Sequence, residues 1–275
     1  MILFFFFPFS FGFLSGFSSR SDFFLDSRRV SCYNGNIKNH IPAQAAGEGR
    51  NHMELRGKII NFLGDSITEG VGVDVPEHIY LNVLKETCGL KAANNYGISG
   101  TRIARQHKPT DYAPSFDQDY VSRVDGMDKD ADVVVVFGGT NDYGHGDAVI
   151  GQMSDRTPDT FYGACHCLYQ KLYETFPHAQ LVVITPLHCL CDDQPHTKVS
   201  PDGAVVDHPN LLTYVNIIRE VADWYSIPVC DFHARAGIQP NLPIHQQNLC
   251  PDGLHPNAAG HKLMAACLES FLRSL

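Results

Sequence analysis

The 275-residue chain is poor in positive charge. It has 21 lysines and arginines against 30 aspartates and glutamates, a formal net charge of -9, and no basic run longer than Arg28-Arg29. That excludes the basic footprint of a nucleic-acid-binding surface and disfavours an anionic membrane as partner. A clear secretory signal is missing too. The opening 1-MILFFFFPFSFGFLSGF-17 is apolar but carries no basic residue ahead of its apolar stretch, and it is short for a membrane span. Zinc-type cysteine spacing is also lacking. The ligand-rich pieces 165-CHC-167 and 188-HCLC-191, with Asp192, Asp193 and His196, do not use C-x₂₋₄-C. Cys165 and Cys167 cannot share one helix face, and His166 is expected to be at the surface or partly buried. No metal and no cofactor are expected. Of nine cysteines, an odd count, Cys32 lies before residue 53 and the other eight are spread through apparent strands, helices and loops, which suits free thiols better than a disulfide framework.

What is present is 44% apolar and 19% charged, ordinary for a globular protein with a sizeable core. Ten of the 17 phenylalanines precede residue 25, so residues 1–52 differ from the rest. Three readings are open for them: an atypical signal or anchor, a disordered extension, or upstream sequence outside a working protein that starts at Met53. The expected division is a leader over 1–52 and one domain over 53–275. Localisation follows that choice: cytoplasmic from Met53, secreted or anchored if residues 1–17 act as a signal. No stable membrane association is expected of the domain.

From residue 57 short apolar runs alternate with amphipathic stretches. Strands are expected at 58–64, 92–97, 132–139, 180–186 and 227–232. Runs such as 133-VVVVF-137 lack polar alternation, so both faces should be covered, as in a parallel sheet between helices. Helices are expected at 78–88, 99–107, near 117–127, and at 159–176, 210–226 and 257–275, with Asp159 and Asn210 as caps. The alternation implies one three-layer α/β domain. In such sheets, sites form beyond the carboxyl ends of the strands. Three long polar loops follow strand ends, at 143–158, 187–209 and 236–256.

Four fragments fall where that rule wants them. Ser66, in 64-GDSIT-68, follows the first strand and opens a helix, where free N–H groups favour a developing oxyanion. A serine there can equally be a helix cap. Gly100, in 97-GISGTR-102, offers an N–H that a ligand can approach, or simply makes a turn. Asn141, in 138-GGTND-142, can donate its side-chain amide to an oxyanion or cap a turn. Asp252 and His255, in 251-PDGLHPNAAG-260, are spaced so that the carboxylate can hold one imidazole nitrogen and leave the other to accept a proton. Alone, each fragment also suits a structural role.

Together, in order, they resemble the blocks of the GDSL, or SGNH, hydrolase family, over roughly residues 57 to 275. The resemblance implies a flavodoxin-like α/β/α fold with a five-stranded parallel sheet of order 2-1-3-4-5. It also implies a serine hydrolase needing no metal, with Ser66 as nucleophile, His255 as base, Asp252 orienting it, and Ser66, Gly100 and Asn141 as oxyanion donors. The expected partner is a small-molecule or glycan-borne ester, with acetyl groups on carbohydrates first. Lipid or thioester hydrolysis, acyl transfer to an alcohol, and a non-catalytic binding module on the same fold stay open. His145, Asp147, His188 and His196 are expected as surface loop residues. Arg102 and Arg105 are expected to be solvated.

Overall fold

The central strands carry the most apolar sequence in the chain, and burial on both faces follows from it. The structure, a computed structural model, describes residues 52–111, 113–199 and 205–275. The expectations for the leader therefore lie, apart from His52, outside the described residues. Strands β1 (Ile59–Gly64), β2 (Ala92–Gly97), β3 (Val133–Phe137), β4 (Gln180–Ile184) and β7 (Val229–Cys230) form an all-parallel sheet in the order β2-β1-β3-β4-β7. This is the expected 2-1-3-4-5 order. The numbering shifts because an antiparallel hairpin, β5 (His196–Val199) and β6 (Val205–His208), lies in the 187–209 loop.

Side chains alternate across each strand. Val134, Val136, Leu181 and Val183 join one buried cluster with helices α5 (Phe161–Thr175) and α6 (Leu211–Trp224). Val133, Val135, Phe137, Val182 and Ile184 join another with α2 (Tyr80–Cys88) and α9 (Ala258–Arg273). All five β3 residues are buried. Each such aliphatic side chain contributes about 1.5–3 kcal/mol of burial free energy. No described helix is long and apolar enough to cross a membrane.

The remaining helices are short: α1 (Ser66–Glu69), α3 (Tyr120–Arg123), α4 (Thr140–His145), α7 (Phe232–Arg235) and α8 (Pro243–Leu249). The region near 117–127 breaks into α3 between 3-10 turns at Pro114–Asp117 and Val124–Gly126. Asn210 caps α6 as expected, whereas α5 is capped by Thr160, one residue beyond Asp159.

The helix expected over 99–107 is absent. The Ile103 and Ala104 N–H groups donate to the Asp142 carboxylate at 3.0 and 2.8 Å. Arg102 bridges to Asp119, and Tyr120 N donates to the Arg102 carbonyl at 2.9 Å. These tertiary bonds take the backbone groups that a helix would have used.

The sheet register defines the functional edge. Gly97, Gly64, Phe137, Ile184 and Cys230 form one row across all five strands. Ser66, Gly100 and Asn141 lie two, three and four residues beyond that row, on the three adjacent strands β1, β2 and β3.

Candidate active site

At the end of β1 the chain must turn sharply, and Gly64 allows it. A Cβ on Gly64 would sit 2.0 Å from Thr68 Oγ1, because α1 folds back onto the strand end. The helix cap is Asp65, not Ser66. Asp65 is extended at φ -103° and its carboxylate accepts from Ile67 N at 3.0 Å. Capping is thereby settled one residue early, and the Ser66 hydroxyl is left for another partner. That partner is His255, whose Nε2 lies 2.9 Å from Ser66 Oγ.

The imidazole is fixed from behind. His255 Nδ1 lies 2.7 Å from Asp252 Oδ2. The other Asp252 oxygen accepts from Leu254 N at 2.8 Å and His255 N at 2.7 Å. Partial burial pushes the Asp252 carboxyl up, but these N–H donors and the imidazole outweigh it and hold it below the ordinary range. An ionised Asp252 puts the ring proton on Nδ1, so Nε2 faces Ser66 as an acceptor. The loop itself is tied down. Gly253 N donates to Cys250 O at 2.9 Å, Leu190 N to Gly253 O at 2.7 Å, and Asn257 caps α9.

Ser66 opens α1, so its N–H has no carbonyl within the helix. Gly100 is at φ +75°, in the region that favours glycine, and a Cβ there would meet the Phe116 ring at 2.6 Å. Thr101 N closes that turn onto Ile98 O at 3.4 Å, and no described backbone bond uses the Gly100 N–H. Asn141 is buried in α4. Its Nδ2 donates to Thr101 O at 3.0 Å, and its Oδ1 is 3.1 Å from His145 Nε2. One amide hydrogen is therefore committed to the Gly100 loop and the second is left over.

Arg102 and His145 differ from the sequence expectation. Arg102 is 1% exposed and ion-paired to Asp117 at 3.1 Å. Its Nη1 lies 2.9 Å from His145 Nδ1. A guanidinium only donates, so His145 Nδ1 must accept there, and Nε2 carries the proton donated to Asn141 Oδ1. The chain Asp117–Arg102–His145–Asn141 thus fixes which way the Asn141 amide points. The signal in the sequence was the i,i+4 spacing of Asn141 and His145, legible only once 140–145 is known to be helical. Arg105 is half exposed, as expected.

Other expected surface residues are also engaged. Asp147 accepts from His107 N and Lys108 N, both at 2.9 Å. His188 meets Asp192 at 2.5 Å, and the His196 ring packs edge-on to Tyr143. His166 is fully buried on α5, 3.0 Å from Met153 O. Cys165 is buried and Cys167 half-buried, and the eight cysteines among the described residues are free. Arg123, unremarked in the sequence, donates to Gly64 O at 3.0 Å and Thr101 Oγ1 at 2.8 Å, joining the Ser66 turn to the Gly100 loop. Burial pushes the Asp65 and Asp142 carboxyls up to about 6.

A family profile, the GDSL-like lipase/acylhydrolase family, matches residues 62–263. The chain belongs to that family. A solved structure from Lactobacillus plantarum is 30% identical over 80% of this chain and 98% of its own, with a TM-score of 0.65. The lipase/acylhydrolase from Enterococcus faecalis is 20% identical over 78% of this chain and 95% of its own, with a TM-score of 0.52. A possible lipase from Chitinophaga pinensis is 22% identical over 78% and 98%, at a TM-score of 0.56. These last two share the fold. Among curated proteins none matches the chain. Membership of the GDSL-like family makes the protein a hydrolase, and the GDSL block is the Gly64–Asp65–Ser66 turn described above.

Proposed function

We propose that the protein is a serine esterase that cleaves short-chain acyl esters, with acetyl esters of carbohydrates or small alcohols as the first class. The observation that carries this reading is the unbroken chain Ser66 Oγ–His255 Nε2, 2.9 Å, and His255 Nδ1–Asp252 Oδ2, 2.7 Å. Ser66 Oγ attacks the ester carbonyl as His255 Nε2 takes its proton. The tetrahedral oxyanion is held by the Ser66 and Gly100 N–H groups and the second amide hydrogen of Asn141. His255 then gives its proton to the departing alcohol, leaving an acyl-Ser66 ester. Water repeats the sequence and releases the acid. Asp252 stays ionised throughout and stabilises the imidazolium. The glycan preference rests on family likeness, and the polar partner is expected to be the ester substrate alone.

The test is hydrolysis of p-nitrophenyl acetate, butyrate and octanoate by the full chain, alongside Ser66→Ala. Fastest cleavage of acetate, abolished by Ser66→Ala, supports the reading and leads to acetylated sugars as substrates. Octanoate cleaved faster than acetate sinks the short-chain part. Equal activity in Ser66→Ala sinks the mechanism.

A further inference from the structure

The edge of the sheet has a second half. Beyond the same row, His188 lies four residues past Ile184 on β4, and His233 lies three residues past Cys230 on β7. Asp192 follows His188 by one helical turn of sequence. Among the described residues, these three side chains form the one group of histidine, cysteine or carboxylate residues whose ligand atoms converge, all within 4.8 Å of one another. We infer that His188, Asp192 and His233 form a binding site for a divalent transition metal ion of the zinc type.

Several independent features support the assignment. The His188 and His233 rings lie close but tilted, with centroids 3.8 Å apart and planes 34° apart. A single metal ion can be shared by two imidazoles that lie this close. His233 Nδ1 is buried with no hydrogen-bond partner among the described residues. A buried polar atom left unmet is costly, and such atoms call for an explanation. Asp192 is buried, and its second oxygen accepts from Asn241 Nδ2 at 3.1 Å, the kind of outer contact that orients a ligating carboxylate. The His233 backbone is anchored as well, with its N–H donating to Thr185 Oγ1 at 3.0 Å. His188 is 25% exposed, which gives an ion a way in.

The donor set selects the metal class. Two imidazoles and one carboxylate suit zinc and its transition-metal neighbours, whereas magnesium and calcium favour oxygen donors throughout. Tetrahedral zinc with bonds of about 2.1 Å spaces its ligand atoms by about 3.4 Å. The ligand atoms, all within 4.8 Å of one another, must settle to that spacing, and the His188 Nδ1–Asp192 Oδ2 pair, now 2.5 Å apart, must open. Zinc takes the place of the Nδ1 proton in that pair, and the His188 ring stays a neutral ligand with its proton on Nε2. The fourth position stays for water or a substrate oxygen.

This differs from the sequence expectation of no metal for a definite reason. The ligand-rich 188-HCLC-191 segment, with Asp192, Asp193 and His196, was set aside because its cysteines lack zinc spacing. The cluster instead takes His188 and Asp192 from it and brings His233 from another strand end. Cys189 is buried and Cys191 exposed, and neither joins the cluster. The site also has a mechanical consequence. Leu190, between two ligands, donates its N–H to Gly253 O in the loop of Asp252 and His255. A bound ion would brace the segment on which that loop rests.

The experiment is metal binding by the full chain after treatment with a chelator. Cobalt(II) is titrated with visible absorption as the readout, and zinc by calorimetry, for wild type, His188→Gln, His233→Asn, Asn241→Ala and Cys191→Ser. Thermal melts of each variant serve as folding controls. The expected result is one equivalent bound, a cobalt d–d band without a thiolate charge-transfer band, and a zinc-dependent rise in the wild-type melting temperature. His188→Gln and His233→Asn should each weaken binding by more than about 100-fold, and Asn241→Ala by about 10-fold. Cys191→Ser should bind as wild type does. If His233→Asn does not fold, His188→Gln, at the partly exposed ligand, decides alone. Absence of wild-type binding overturns the proposal. So does binding that survives His188→Gln, or a thiolate band that disappears in Cys191→Ser. None of these readouts depends on ester hydrolysis.

Discussion

His145→Ala should slow turnover without weakening substrate binding, because His145 acts on the proposed oxyanion donor and on nothing the substrate touches beforehand. Asn141 has two anchors, Thr101 O at 3.0 Å and His145 Nε2 at 3.1 Å. Removing His145 leaves the first and deletes the second. A neutral hydrogen bond of this kind is worth about 0.5–1.5 kcal/mol. The upper limit of the effect is the whole contribution of Asn141, about 2.7–4 kcal/mol for one oxyanion donor. The expected loss in kcat is therefore roughly 10-fold for His145→Ala, against roughly 100- to 1,000-fold for Asn141→Ala, with KM for p-nitrophenyl acetate unchanged in both. The double variant discriminates best. In an Asn141→Ala background, His145→Ala should cost less than about 2-fold, because residues that act through one another are not additive. An equal loss of kcat from His145→Ala in both backgrounds, or a rise in KM while kcat holds, would rule out this role for His145. Arg102→Gln should give the same kcat signature with a larger loss of stability, since it leaves Asp117 without its ion pair.

Three further outcomes concern stability. Asp65 is buried with its carboxyl raised to about 6 against an ordinary 3.8, so its charge costs about 3 kcal/mol above pH 6, a cost that vanishes below pH 4. Asp65→Asn keeps a capping side chain and should be more stable than wild type in urea melts at pH 8 and equal to it near pH 4. His261 is buried with its imidazole pulled down to about 4 by burial and then by the charge of His255. Its contribution is complete above pH 6.5 and is lost as pH falls to 4, about 3 kcal/mol in all, so His261→Gln should flatten that part of the pH–stability curve. Gly64→Ala should destabilise by at least about 1–3 kcal/mol, because the new methyl collides with Thr68; an unchanged melting temperature would contradict the turn geometry.

The sheet was legible because the strand segments are short apolar runs bounded by turns, and because 133-VVVVF-137 has no polar face. The five candidate site positions were legible for a simpler reason: each follows a strand end, or precedes the last helix, in a Gly- or Pro-marked turn. The short helix α4 that carries Asn141 was not legible. Helices of four to seven residues, such as α4, α7 and α8, carry too few turns to show a period. Residues 99–107 failed differently. Their backbone groups are claimed by Asp142 and by the strand-like bridge at Asp119, contacts that only the tertiary structure brings about. Arg102 and His145 were misjudged for the same reason, since nothing local marks an arginine as destined to be buried beside Asp117. The capping role of Asp65 was missed because the adjacent serine is an equally good cap by type, and only the fold decides which of the two turns inward.

Covalent trapping shows whether Ser66 is the nucleophile. The protein is incubated with a p-nitrophenyl phosphonate and the modified residue is located by peptide mass spectrometry. A single adduct on Ser66 is expected, absent from Ser66→Ala and formed far more slowly in His255→Asn. A phosphonate on any other residue, or none under conditions where the ester substrates are turned over, would contradict it.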